Sequence, residues 1–235
     1  MATIGHKSEL EFAANTLVVN PETTPAATKF VTILSDATTT TTNDNLGELV
    51  GSEIVGYDGY VPQYPDFLSA AYSSGNDRVE VPAVELTFTN NGTGTMTYQT
   101  VMILRIPDSH VRIVPKAIDD TNFNSGTNVL SLTGHGYSDG DKVLFRIDSG
   151  TLPITTTGNI TEFLIYEVLN SDANSFQLSL DGINPIDLTT SGSGSFYLID
   201  ATVETIYEIT SFANPTDLEV SSSIKVIHQP MYQDA

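Results

Sequence analysis

The stretch His135-Gly136-Tyr137-Ser138-Asp139-Gly140-Asp141-Lys142-Val143 opens a segment of about 65 residues, 134–198. The segment continues through a Leu152-Pro153 turn into two short apolar runs, Phe163-Leu164-Ile165-Tyr166-Glu167-Val168-Leu169 and Ser175-Phe176-Gln177-Leu178-Ser179-Leu180. It closes on Gly192-Ser193-Gly194-Ser195-Phe196-Tyr197-Leu198. In the second run Phe176, Leu178 and Leu180 fall on one face, the period of two that a half-buried strand requires. The segment reads as a complete small β module, with its own turns and no visible chemistry.

Similar runs recur outward from it, separated by Gly, Pro, Asn, Asp and Ser. They cover residues 16–19, 29–34, 79–81, 84–89, 96–106, 111–114, 129–132, 142–147, 195–199, 204–209 and 222–226. In 84–89 the apolar set is Val84, Leu86 and Phe88, again with a period of two. Helical signals are short: one or two turns in 44–50, after an Asn/Asp cap, and again in 65–72. The five threonines 38–42 favour extended backbone or an exposed loop. No internal repeat of solenoid or propeller period stands out.

These patterns predict an all-β fold: a β-sandwich body with a second, small β-sandwich or barrel module. The two strand-like pieces after residue 200 are too short to form a domain and need partners. Pairing them with strands of 1–114 gives a body of 1–114 plus 199–235, with an inserted module at 115–198. The alternative is two sequential domains, 1–114 and 115–235.

Composition narrows the function. The chain has 235 residues, enough to bury a sizeable core without covalent staples. It has no cysteine, hence no disulfide framework and no thiolate nucleophile or ligand. Nine basic residues stand against 29 acidic ones, a net charge of −20, which repels nucleic acid and anionic lipid. No apolar run approaches the roughly 20 residues that span a bilayer. The N-terminus lacks the apolar region of a signal peptide, so the chain reads as soluble and unprocessed.

Motifs that invite chemistry have plainer readings. None of His6, His110, His135 and His228 has a second histidine or a carboxylate at ligand spacing, and His135, between two glycines, reads as a turn residue. Asp139-Gly140-Asp141 fails as a calcium loop, because the fifth and twelfth positions are Val143 and Gly150; it reads as a turn into 142–147. Gly92-Thr93-Gly94 and Gly192-Ser193-Gly194 read as hairpin turns, not nucleotide loops. No catalytic residue, cofactor site or metal site is predicted, and the chain does not read as an enzyme. The tyrosines Tyr57, Tyr60, Tyr64 and Tyr72 cluster in sequence, a weak signal for glycan stacking or interface contact, with core packing as the plainer reading.

On the residues quoted at the outset, 134–198 resembles a small β module of phage tail and other virion structural proteins. The pattern is His-Gly-(Leu/Tyr)-Ser-x-Gly-Asp-x-Val, then the Tyr166-Glu167-Val168 strand, Ser175-Phe176-Gln177-Leu178 and a closing Gly-Ser-Gly. It covers a little over a quarter of the chain and carries no catalytic residue. A looser likeness to phage structural segments runs through Leu46-Gly47-Glu48-Leu49, Gly56-Tyr57-Asp58-Gly59-Tyr60, residues 84–88 and Asn91-Gly92-Thr93-Gly94-Thr95-Met96-Thr97. It departs from them where Val61-Pro62-Gln63 follows Tyr60, in place of a basic residue or Gln.

The resemblance implies a structural component of a tailed-phage virion, made in the host cytoplasm. It would be a tail or short or proximal tail-fibre protein that joins other virion proteins. Capsid decoration and a carbohydrate-binding, receptor-recognition module are the alternatives. The edge strands of two small β units predict a homo-oligomer, a trimer in a fibre or decoration protein. No nucleic-acid or membrane partner is expected.

Overall fold

A computed structural model describes residues 28–36, 46–65, 71–73, 78–80, 84–228 and 232–234. Before the barrel the chain makes β1 (Thr28–Ser35), the short helix α1 (Leu46–Gly51), β2 (Ala71–Ser73), β3 (Arg78–Glu80), β4 (Val84–Asn90) and β5 (Met96–Pro107). Next come β6 (Lys116–Asp119), β7 (Phe123–Asn124), β8 (Val129–Ser131), β9 (Lys142–Ile147), β10 (Ile154–Thr155), β11 (Gly158–Asn159), β12 (Tyr166–Leu169), β13 (Ser175–Ser179) and β14 (Ser195–Asp200). The chain ends with β15 (Thr205–Leu218), β16 (Ser222–His228) and β17 (Tyr232–Asp234). Among the described residues strands predominate, with one short α-helix, and the fold is all-β.

The first body is a sandwich. Its longer sheet has the order β1-β5-β15, all antiparallel, with Val31 opposite Leu104 and Leu218 opposite Met96. Strands β4 and β16 pair in a second sheet, and β2, β3 and β17 in a third. The alternation read in 84–89 does its work here. Leu86 and Phe88 point inward and meet Met96, Tyr98 and Val101 of β5 and Leu34 of β1, together with Ile54, Tyr60 and Leu218. The Asn90-Asn91-Gly92 turn therefore joins strands of two different sheets, not the two arms of a hairpin. It is held by the Asn90 side chain, whose Nδ2 donates to the carbonyls of Gly94 and Leu218 at 2.8 Å each.

The second body is a nearly closed, seven-stranded barrel in the order β6-β14-β9-β12-β13-β8-β7. Every strand sends side chains inward, among them Ile118, Phe123, Leu130, Phe145, Val168, Phe176 and Phe196. Phe145 is fully buried, its ring centroid 5.7 Å from Phe123 and 5.9 Å from Tyr166. Such pairs add about 0.5–1.5 kcal/mol beyond their buried area.

One side of this barrel is apolar outside as well. Leu144 and Ile199 face away from the barrel core and join Val31, Ile33, Met102, Leu104 and Ile106 of the sandwich and Val50 of α1. That is why Val143-Leu144-Phe145 is continuously apolar: β9 is covered on both faces. After β14 the chain returns to the sandwich, where β15 pairs with β5 and β16 with β4.

Several expected elements differ, each for a local reason. The strand expected at 163–169 begins only at Tyr166. Phe163 has φ 60°, and its ring lies over Gly51 of α1, where an added Cβ would stand 2.4 Å from the ring. The strand expected at 175–180 stops at Ser179, and Leu180 is 62% exposed. Ser179 Oγ there accepts the amide of Gly182 at 3.0 Å and ends the strand in a turn. Residues 111–114 form no strand: the amides of Arg112 and Ile113 are engaged by side chains described below. Ala71 and Tyr72, expected in a helix, lie in β2. The runs 16–19 and 38–42, the cap at 44–45 and residues 66–70 fall outside the described residues.

Gly192-Ser193-Gly194 is not a hairpin turn. It runs alongside residues 149–151, with Ser193 N and O both bonded to Thr151. The approach leaves no room for side chains: a Cβ on Gly150, φ +85°, would lie 1.9 Å from Ser193 O. Gly150→Ala is expected to destabilise the chain by at least the cost of a left-handed non-glycine residue, about 1–2 kcal/mol. A shifted urea midpoint, with lost protection of the Ser193 amide, would show it.

Candidate functional site

The chain leaves the sandwich through residues 108–115 and returns from the barrel through 200–204. Both crossings meet at one buried ionic junction. Asp200, the last residue of β14, is fully buried. Its Oδ2 accepts the amide of Ile113 at 2.8 Å and stands 2.6 Å from His110 Nε2. Its Oδ1 accepts the amide of Thr202 at 2.9 Å. The other imidazole nitrogen, Nδ1, lies 3.2 Å from Asp141 Oδ1. With a carboxylate on each nitrogen, the ring is held as a cation: its pKa rises from 6.5 to about 9 against the opposing effect of burial. The imidazolium and the neighbouring Arg112 hold Asp200 below its ordinary range, although burial opposes them.

A second pair lies beside the first. Arg112 Nη2 donates to Glu53 Oε2, and both side chains are fully buried. Glu53 Oε1 accepts from Tyr60 Oη at 2.8 Å, and Tyr60 Oη accepts the amide of Leu34 at 3.2 Å. The Arg112 amide donates to Tyr64 Oη at 2.8 Å. Burial pushes the Glu53 carboxyl above its ordinary range, while Arg112 and Tyr60 pull it back. Arg112 Nε, Arg112 Nη1 and Tyr137 Oη are buried without a hydrogen-bond partner among the described residues.

This arrangement clamps. An imidazole whose two nitrogens are both occupied by carboxylates has no free position from which to move a proton to a substrate. The bonds instead tie the outgoing loop (His110, Arg112, Ile113) to the returning one (Asp200, Thr202), to the barrel at Asp141 and to the sandwich at Glu53.

The predicted tyrosines divide. Tyr60 is 3% exposed and stacks on Phe88 with ring centroids 6.2 Å apart, which removes it from any surface platform. Tyr64 is 40% exposed, and Lys29 Nζ lies 5.5 Å from its ring centroid. Tyr57 is half-buried in a groove between the two bodies. Tyr72 lies in β2. Tyr60 and Tyr64 thus meet at the junction, and Tyr57 packs beside Tyr60 with its ring on the neighbouring groove.

His135 follows a turn, and its buried ring packs edge-on against Phe176 at 5.0 Å. Asp139-Gly140 is a turn into β9, in which Asp141 Oδ2 accepts the amide of Ser138 at 2.7 Å. Among the described residues no group of three or more His, Asp and Glu side chains is arranged to hold a metal ion. Among them, too, no helix is long and apolar enough to cross a membrane.

Sequence reasoning missed Glu53, His110, Arg112 and Asp200. One signal was present. Glu53, Arg112 and Asp200 each interrupt or end an apolar run (Ile54-Val55, Val111 with Ile113-Val114, and Leu198-Ile199) in a chain with only 16% charged residues. A charge in such a run is unusual unless it is paired.

No family model, curated protein or solved structure matches this chain.

Proposed function

We propose that the chain is a structural component of a tailed-phage virion, a tail or short or proximal tail-fibre protein that assembles by protein–protein contacts. One observation carries this reading: the residues that bear the virion-module pattern are used to build and mount the barrel. His135 and Phe176 pack together in its core, and Gly136 and Gly140 take φ +85° and +89° in its turns. Gly192 and Gly194 allow the close approach to 149–151. Asp141 reaches from the pattern into the clamp. A module fixed to its carrier by buried ion pairs and a shared apolar core suits a part that transmits load, and several short sheets leave edges for neighbouring copies.

The test is particle association. An antibody against the chain should label gradient-purified particles from the host that carries its gene, and immunoblots should find the chain in the particle fraction. Recovery of the chain only from the soluble fraction, with unlabelled particles, would overturn the proposal. Light scattering of the purified chain should give a homotrimer, and a stable monomer at high concentration would count against assembly through its own copies.

A further inference from the structure

The groove around Tyr57 carries the inference. Two hollows flank this residue, one of about 260 Å³ and one of about 330 Å³. The first lies between the bodies: Asp36, Ile54, Val55, Tyr57 and Thr97 come from the sandwich, and residues 146–148 and Tyr197 from the barrel. The second continues along residues 54–60 to Pro115. Binding clefts gather at such boundaries between units.

The first hollow is organised. Arg146 is fixed by two bonds across the boundary, Nη2 to Asp36 Oδ2 at 2.6 Å and Nη1 to Glu53 O at 3.4 Å. A guanidinium has five N–H donors in a planar fork, so others remain for a ligand. Asp148 accepts from Ser195 Oγ through Oδ2 at 2.7 Å, and its Oδ1 has no partner among the described residues. The Tyr57 and Tyr197 hydroxyls likewise bond no other described group. Tyr197 Oη lies over Gly56, where an added Cβ would stand 3.1 Å from it; Gly56 has φ +77°, which suits glycine.

The lining selects the ligand class. Asp36 and Asp148 outnumber the one guanidinium, which is itself paired, and the chain carries −20, so an anion is repelled. Carboxylates, guanidinium and phenol hydroxyls disfavour an apolar ligand, whose burial would leave them unpaired. A neutral polyol matches, because its hydroxyls can donate to Asp148 and accept from Arg146 while its C–H face can rest on a phenol ring. Each hollow is near the small end of the ~300–1,000 Å³ range of ligand sites, which suits single sugar rings in adjacent subsites better than one bulky ligand. We infer that this groove binds a neutral oligosaccharide, with Tyr57 between two subsites and Arg146, Asp148 and Tyr197 lining the first. The site stands whether or not the chain is particle-bound.

Saturation-transfer NMR on the full chain, with maltotriose and chitotriose as neutral probes and sialyllactose as the anionic control, tests it. At least one neutral trisaccharide is expected to show transfer, and sialyllactose to show less. Tyr57→Ala should weaken binding at least tenfold, as should Asp148→Asn, an exposed change that leaves the core untouched; melting temperature checks the fold of both. Ile183→Ala, an exposed change outside the groove, should leave binding unchanged. The inference is overturned if neither neutral probe binds at millimolar concentration, if sialyllactose binds better, or if folded Asp148→Asn binds like the parent chain.

Discussion

Replacing Arg112 by alanine is expected to lower the unfolding free energy by about 3–5 kcal/mol near neutral pH, the range for removing one partner of a buried ion pair. The reason is the carboxylate left behind. Glu53 is 0% exposed and keeps only the Tyr60 hydroxyl as a side-chain donor, which cannot supply a counter-charge. Burial already pushes this carboxyl above 4.5, and without Arg112 the opposing attraction is gone. A carboxyl with a raised folded pKa favours the folded state below its unfolded value, and that contribution is lost as pH rises through the folded value. The deficit of the variant should therefore be larger at pH 8 than at pH 5. Adding Glu53→Gln to Arg112→Met removes the charge and refills much of the volume, so the double variant should regain a large part of the loss. Urea unfolding followed by circular dichroism reads all of this. A loss below about 1 kcal/mol at pH 7, the worth of an exposed pair, would show that Arg112 and Glu53 are not paired in a dry site.

The contrast between what the sequence reveals of the strands and what it hides of the clamp is physical. Residues 142–147 form β9 with the predicted boundaries, because a turn signal and a change of periodicity coincide there. Strand β4 likewise follows from alternation at Val84, Leu86 and Phe88. Apolar content alone misled at Phe163 and Leu180. The first fills space over a helix glycine, and the second follows a side-chain-capped turn. Neither event leaves a local periodic trace. Residues 111–114 misled in the opposite sense: an apolar run became a loop whose amides are bonded by Tyr64 and Asp200, the latter 87 positions away from Ile113. The junction joins residues near 53, 110, 141 and 200, so no local stretch of sequence holds its pattern. The groove at Tyr57 has the same character. One of its phenols was legible in a cluster of tyrosines, whereas Arg146, Asp148 and Tyr197 reach it from the barrel.

Asp200→Asn should cost about as much as the arginine change, about 3–5 kcal/mol, and lower the melting temperature by roughly 10 °C. The substitution preserves volume, so the effect is not one of packing. Asp200 receives three donors: the amides of Ile113 and Thr202, and the His110 ring. An asparagine offers one oxygen and must turn its NH2 group towards at least one of these donors, at a position that is fully buried. It also withdraws the negative charge that helps raise His110 to about 9. The pH profile distinguishes this account from a generic loss of stability. A histidine raised from 6.5 contributes stability that is fully present below 6.5 and lost as pH climbs through about 9. An aspartate held below 3.8 contributes stability that is present above 3.8 and lost as pH falls through its depressed folded value. The junction is therefore strongest between about 4 and 6.5, and the gap between parent and variant should narrow on both sides of that window. Arg112, Glu53 and Asp141 face the same pair and act on both chains, so the difference curve reports position 200. Hydrogen exchange adds a local readout, since the Ile113 and Thr202 amides should lose protection first while the barrel amide of Val168, bonded to Asp141 O, keeps it. A gap that stays constant from pH 3 to pH 10 would mean that the imidazolium and its carboxylates do not hold the two bodies together.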